Sequence, residues 1–340
     1  MGLPIREIVS KKTISMDDLA GKVLAIDSHN MLYQFLTTIR ARDGTALMDS
    51  GGNVTSHLVG LFARTTNFMQ RGLRLAFVFD GTAPALKGEE RKRRAELKAE
   101  AQAAYDKAVS EEDTDAMKRY AGRVSKLTPA MVAEAKELIC ALGLPVVQAP
   151  SEGEAQAAHM VQRGDAYATV SQDFDALLFG TPRLVRNLSI AGKRKRANKL
   201  AYETVKPELA ELAEVLNTLG MDLKQFTALA MLVGTDYNVG GIKGIGPKNA
   251  IKLVKEERDL DALFERVKWG EFFSVSWKEV YDTIRGMPVT DEYRLEWTSP
   301  DKGRVGALLE QHDFSKERIE SALKKLKAGS REQKGLGEFF

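Results

Sequence analysis

Six carboxylates, Asp27, Asp80, Glu152, Glu154, Asp173 and Asp175, stand at or just beyond the ends of short apolar runs. Oxygen-only donors of this kind, with no cluster of His or Cys beside them, suit hard divalent cations such as Mg²⁺ or Mn²⁺ better than zinc. Brought together without a cation they would repel one another, and some would have to take up protons to coexist. Each also has a bland reading. Asp27 fits a helix cap, Asp80 a turn, and Ser151-x-x-Glu154 spells a capping box. Those readings require six independent caps and turns to fall on the same edge.

The runs that carry these acids read as buried strands: VLAID (23–27), LAFVFD (75–80), PVVQAP (145–150) and YATVSQDFD (167–175). SHNMLYQFLTTIR and SEGEAQAAHMVQ between them have helical spacing. Val-, Leu-, Ile- and Phe-rich strands alternating with helices predict an α/β fold, a mostly parallel central sheet flanked by helices. Such sheets place their sites in the crevice outside the carboxyl ends of the strands, which is where the acids fall. A length of 340 residues allows two domains or one large α/β unit.

Residues 87–120 are rich in Ala, Glu, Lys and Arg and read as an exposed helix laced with ion pairs. Inserted after an acidic strand end, it would stand over the site as a gate. Lys87 and Arg94, seven residues apart, would share its inner side. Residues 209–233 read as apolar and helical and lead into GTDYN. GIKGIGPKNA follows, where Gly244 and Gly246 open a tight turn, Pro247 suits a first helical position and Ala250 allows close packing. This is a helix-hairpin-helix pattern, whose backbone N–H groups and Lys248 suit a DNA backbone read without regard to base. Residues 260–327 look helical, with Trp269, Trp277 and Trp297 as core.

Composition sets outer limits. Lys and Arg number 50 against 47 acids, a net charge of +3, with the basic residues gathered at Arg91–Arg94 and between Arg183 and Tyr202. Such runs are usually solvated faces, and the Lys193–Arg196 run also fits a nuclear signal or a phosphate-contacting loop, which the sequence does not separate. Arg6 stands where a myristoylation signal needs Ser or Thr, and no apolar run suits a secretory leader or a membrane span. The single cysteine, Cys140, excludes an internal disulfide and reads as a buried small hydrophobe. The segment AGSREQKGLGEFF breaks helical spacing with Gly and ends in two aromatics that call for a partner to bury them.

Seven motifs in order, VLAIDSHNMLYQFL, VFDG with its Lys-rich helix, SEGEAQAA, SQDFDALLFG, LVGTDYN, GIKGIGPKNA and QKGLGEFF, resemble the flap endonucleases of archaeal type. The resemblance spans nearly the whole chain. It implies one 5′ nuclease domain over residues 1–327, made of an N-terminal part (1–100), a helical arch (87–120), an internal part (140–236) and the helix-hairpin-helix (237–260). A flexible clamp-binding tail (328–340) completes the chain. The resemblance further implies that Asp27, Asp80, Glu152 and Glu154 attend one metal and Asp173, Asp175 and Asp236 a second. Asp236 is supplied by the resemblance and not by the strand pattern. Lys87 and Arg94 match residues that contact the scissile phosphate, Tyr33 one that stacks on a terminal base, and Arg40 a basic residue near the flap. The hairpin matches a module that grips duplex DNA, often with K⁺. Many relatives carry Lys and Pro after the Asp-Gly pair, where this chain has Thr82 and Ala83, so one positive charge near the arch base is missing.

The activity so implied is two-metal, Mg²⁺-dependent hydrolysis of branched DNA with a 5′ flap, with exonuclease activity, in Okazaki fragment maturation and repair. A monomer without membrane association is expected, intracellular and cytoplasmic in an archaeon. The alternative is a clamp-bound DNA-binding scaffold without catalysis. Gln333-x-x-Leu336-x-x-Phe339-Phe340 is similar to the box that binds the sliding clamp, PCNA, because this spacing sets Leu336 and an aromatic on one side of a helical turn. Deleting residues 333–340 is expected to leave cleavage by the isolated protein unchanged and to abolish its stimulation by the clamp. Equal stimulation of the truncated protein would contradict the assignment.

Overall fold

The computed structural model describes residue 3 and residues 5–41, 44–195 and 202–329. The clamp-binding residues Gln333, Leu336, Phe339 and Phe340 lie outside the described residues. The strands are β1 (Lys12–Thr13), β2 (Val23–Asp27), β3 (Arg74–Phe79), β4 (Val146–Gln148), β5 (Ala168–Val170), β6 (Arg183–Arg186), β7 (Gly192–Lys195), β8 (Tyr202–Val205) and β9 (Glu208–Glu211). Seven of them form one sheet in the order β1-β9-β6-β5-β2-β3-β4. The pairs β6–β5, β5–β2, β2–β3 and β3–β4 are parallel, and β9 runs antiparallel to both β6 and β1. The expected mostly parallel sheet is present, extended by an antiparallel edge.

The helices are α1 (Ser28–Thr38), α2 (Ser56–Gln70), α3 (Gly88–Ser110), α4 (Thr114–Ala121), α5 (Pro129–Ala141), α6 (Gly153–Gln162) and α7 (Asp175–Leu178). They continue with α8 (Leu212–Leu219), α9 (Leu223–Val233), α10 (Pro247–Glu256), α11 (Leu260–Arg266), α12 (Trp277–Arg285), α13 (Lys302–Glu310) and α14 (Lys316–Gly329).

The two-residue alternation of strand side chains sorts the core. Leu24, Ile26, Leu75, Phe77 and Phe79 enter an apolar layer with α1, α2, α5, α13 and α14. Their neighbours Ala25, Ala76 and Val78 face the other way, onto Ala157, Met160 and Val161 of α6. Small residues on that face let α6 sit close to the sheet, which brings its N-terminal end to the strand ends. A third layer joins α8 to α12 through Phe226, Leu229, Ala250, Leu263 and Trp269.

Several expectations need correction. The run 167–175 is strand only over Ala168–Val170, and then turns so that Asp175 starts α7. Residues 209–233 are not one helical stretch. β9 comes first, and Gly220 at φ 62° in the left-handed region separates α8 from α9. The basic run is in part a two-stranded ribbon, β7 against β8, with Arg196 and Lys199 outside the described residues. Residues 287–300 are an irregular strap over the sheet, held where Trp297 Nε1 donates to Leu75 O at 2.9 Å and Arg74 packs on the same ring. Trp269 is buried, whereas Trp277 and Trp297 are half-buried. Cys140 is exposed and not buried, because α5 turns Ala135, Leu138 and Ile139 inward and Cys140 away from them.

Phe77 lies on β3 between β2 and β4 and is 1% exposed. Phe77→Ala is expected to lower the unfolding free energy by about 3–5 kcal/mol, measured by denaturant titration. A change below about 1 kcal/mol would contradict this packing.

Candidate active site

The order of the parallel strands reverses direction at β2, where β3 and β4 lie on one side and β5 and β6 on the other. Open α/β sheets form their crevice at such a switch point. Register places Ile26 beside Val170 and Asp27 beside Val78, so Asp27 and Ser171 emerge side by side at the carboxyl edge. A cavity of about 1020 Å³ opens there. Asp27, Asp80, Glu152, Glu154, Asp173, Asp175 and Asp236 all line it, with Lys87, Arg93, Arg94, Lys98 and Tyr33. Asp236, which the strand pattern did not place, joins the other six.

Each acid is positioned by its own element. Asp27 is the cap of α1, its Oδ1 accepting from Asn30 N at 3.1 Å, so the bland reading holds alongside its place in the cavity. Asp80 Oδ1 accepts from Gly153 N at 2.7 Å, across the start of α6. A Cβ at Gly153 would lie 2.7 Å from that oxygen, and one at Gly81 only 2.2 Å from Ala149 O, so both close approaches require glycine. The capping box does not form. Glu152 holds the cap position without a side-chain bond to the helix N-terminus, and Ser151 Oγ donates instead to Thr82 O. Glu154 is thereby left facing Ser171. Asp173 Oδ2 accepts from Asn30 Nδ2 at 2.9 Å, and Asp175 Oδ1 accepts from Leu3 N at 2.9 Å. Asp236 sits in a loop closed by buried Asn238, whose Oδ1 accepts from Thr235 Oγ1 and whose Nδ2 donates to Met231 O at 2.7 Å.

Crowding shows in the protonation of these groups. Burial and the neighbouring Asp80 push Asp27 up to about 8, and burial with Asp173 pushes Asp175 up to about 7. Burial and Asp27 raise Glu154 well above its ordinary value. Ser171 Oγ stands 3.0 Å from Asp27 Oδ2 and 2.7 Å from Glu154 Oε1. One hydroxyl proton cannot satisfy both carboxylates, so the pair calls for a shared proton or a cation. Two cations of the chain answer part of this charge. Lys87 Nζ lies 2.6 Å from Glu152 and 3.3 Å from Asp236, and Arg94 Nη2 lies 2.9 Å from Asp236. Burial works against the Lys87 ammonium, but Glu152 and Asp236 outweigh it and hold its pKa above the ordinary value.

Among the described residues, no three acid, His or Cys side chains converge into a finished metal cage. The cavity is an acidic basin with two of its acids in contact with Lys87 and Arg94. Its donors are carboxylate oxygens, of which those of Asp27, Glu152, Glu154 and Asp175 have pKa values raised first by burial and then by neighbouring acids. That chemistry fits hard divalent cations.

The remaining candidates divide. Tyr33 lines the cavity, 37% exposed, with Lys98 Nζ 5.2 Å from its ring centre. Arg40 is apart from the cavity lining, its guanidinium donating to Leu36 O, Thr37 O, Gly44 O and Ser125 Oγ. Gly244 (φ 86°), Gly246 as cap of α10 and exposed Lys248 also lie outside that lining, and Pro247 takes the first position of α10 as expected. Sequence reading missed Asn30, His29 and Ser171. Their signal was proximity: two lie within the first turn after Asp27, and Ser171 two residues before Asp173. His29 Nδ1 lies 3.2 Å from Asp80 N and 3.3 Å from Asp80 Oδ2.

An α/β sheet with an acidic basin at its switch point, roofed by a basic helix, defines a nuclease of the XPG class, and both XPG models match: the XPG N-terminal domain over residues 4–101 and the XPG I-region over 143–236. Flap endonuclease 1 of Hyperthermus butylicus is 51% identical, covering 98% of this chain and 96% of its own, and that of Pyrococcus abyssi is 49% identical, covering 96% and 94%. The chain belongs to the flap endonuclease 1 family. The solved flap endonuclease-1 of Methanococcus jannaschii superposes with a TM-score of 0.76 at 40% identity, covering 98% of this chain and 100% of that one. The catalytic core of Rad2 in complex with DNA substrate shares the fold at a TM-score of 0.70 and 23% identity.

Gly153→Ala is expected to displace the Asp80 carboxylate, lowering the cleavage rate at least tenfold while the melting temperature stays within about 3 °C. Unchanged cleavage would contradict the role of that close approach.

Proposed function

We propose that the acidic basin holds two Mg²⁺ ions, for which Mn²⁺ can substitute, and that the chain uses them to cut the phosphodiester at the base of a 5′ flap. Family membership makes the chain a structure-specific DNA nuclease of replication and repair. The observation that carries the site assignment is the lining of one cavity by all seven acids together with Lys87 and Arg94. Asp27, Asp80, Glu152 and Glu154 would hold one ion, and Asp173, Asp175 and Asp236 the other. When bound, the ions supply Lewis acidity to an attacking water and to the leaving oxygen.

The chain's own residues do the rest. Lys87 and Arg94 exchange their carboxylate partners for the non-bridging oxygens of the scissile phosphate and stabilise charge that grows there. Tyr33 offers an aromatic face at the rim for an unpaired base. The turn at Gly244, Gly246 and Lys248 grips duplex phosphates through backbone N–H groups, with K⁺ as a candidate bridging ion. Recognition is thus of DNA shape and not of sequence. Exonuclease activity uses the same basin on a recessed 5′ end. Gln333, Leu336, Phe339 and Phe340 tether a monomer to the sliding clamp, which raises its concentration at DNA.

The scaffold alternative leaves the crowded acids without a purpose. Asp175→Ala separates the two readings. Cleavage of a double-flap DNA in Mg²⁺ is expected to fall by about 10³-fold or more, with flap affinity within about threefold of the parent protein. Retained cleavage, or collapsed binding by a folded variant, would contradict the role assigned to this acid.

A further inference from the structure

α3 is an exposed helix on which, among the described side chains, only Glu90, Ala101 and Ala108 are buried. A buried Glu on such a helix is unusual, because a carboxylate withdrawn from water needs strong partners. Glu90 is 3% exposed and has them. Arg93 donates from Nε to Oε2 at 2.7 Å and from Nη2 to Oε1 at 2.8 Å, and Arg94 donates from Nε to Oε1 at 2.5 Å. Burial alone would raise its pKa, but the two guanidiniums outweigh burial and hold it at about 2. Lys107 and Glu111, at the C-terminal end of the same helix, show what an ordinary surface pair looks like, at 3.7 Å with both side chains mostly exposed.

Arg93 and Arg94 line the cavity, and Glu90 does not. The carboxylate therefore stands behind the guanidiniums. It takes the Nε edge of Arg94, while Nη2 of the same group reaches Asp236 Oδ1 at 3.1 Å and Oδ2 at 2.9 Å. An Arg side chain has several rotatable bonds and keeps one orientation only when both edges are engaged. When a phosphate displaces Asp236 as partner, the Glu90 edge is the contact that remains.

We propose that Glu90 is a positioning residue that fixes the Arg94 guanidinium toward the reacting phosphate and holds Arg93 beside it as a second positive charge. This rests on the assignment of Arg94 to the scissile phosphate. Glu90 touches no substrate and acts through the arginines alone. Its effect therefore belongs to the chemical step and not to flap affinity.

A double-mutant cycle on the full-length protein tests this, reading single-turnover cleavage of a double-flap DNA at saturating enzyme, flap affinity and thermal unfolding. Glu90→Ala is expected to lower the single-turnover rate by roughly tenfold to a hundredfold, with affinity within about twofold. Glu90→Gln keeps the volume and one acceptor oxygen, so it should stay folded with less loss of stability and of rate than Glu90→Ala, and serve in the cycle if Glu90→Ala is unstable. In an Arg94→Ala background either substitution should lower the rate by less than about threefold further, because residues acting as one unit are not additive. Losses that multiply with an effective Arg94→Ala would overturn the positioning role alone and leave the Arg94 assignment standing. A wild-type rate for both Glu90 variants would overturn it in the same way. A wild-type rate for Arg94→Ala would remove the parent assignment and this proposal together.

Discussion

Mutual repulsion among carboxylates is the constraint from which the rest of this structure follows. The topological switch at β2 brings Asp27, Asp80, Glu154, Asp173 and Asp175 to one edge, where burial first and their proximity second raise the pKa values of Asp27, Asp175 and Glu154. A fold selected for stability alone would not gather them. Their charge is a standing attraction for cations, and the chain satisfies part of it with Lys87 and Arg94. Lys87 stands in the turn just before α3 and Arg94 in its second turn, so the basin and the start of this helix are one electrostatic unit.

That coupling gives the site two uses for the same cations. In the structure Lys87 and Arg94 neutralise Glu152 and Asp236. In the proposed function, metal ions would take over the carboxylates and leave the ammonium and guanidinium to a phosphate, whose charge they match as well. The arch is otherwise polar and exposed, with few buried residues to hold it. Its base is fixed by ion pairs to the basin and at its far end by Ser125, which receives the Arg40 guanidinium and bonds to Leu36 O. Arg40 in this role joins the return of the arch to α1.

The acids were legible in the sequence because a buried parallel strand is a short apolar run and its end is marked by the first charge. Helical spacing pointed to Lys87 and Arg94 together, although Lys87 lies in the turn before α3 and reaches the cavity from there. The strand rule failed where strands carry charge at both ends, as in Arg183–Arg186 and Glu208–Glu211, whose pairing on the antiparallel edge is set by tertiary contacts. Asp236 lies on no strand. It is placed by Asn238 hydrogen bonds and by the packing of Gly234 against Gly241, where a Cβ would come within 2.6 Å of the Gly241 nitrogen. Cys140 was misread although the periodicity of Ala135, Leu138 and Ile139 points it outward. Glu90 carried no signal, because i,i+3 and i,i+4 pairs with Arg are commonplace on exposed helices and only its burial distinguishes this one.

The proposed function puts the divalent cations in one acidic cavity at the strand ends. Anomalous diffraction from crystals soaked in Mn²⁺ addresses it directly. Anomalous density inside the cavity, within bonding reach of Asp173 or Asp175 and of Glu152 or Glu154, is the expected result. Manganese bound only elsewhere on the molecule, in a protein that still cuts flaps in that ion, would contradict the account.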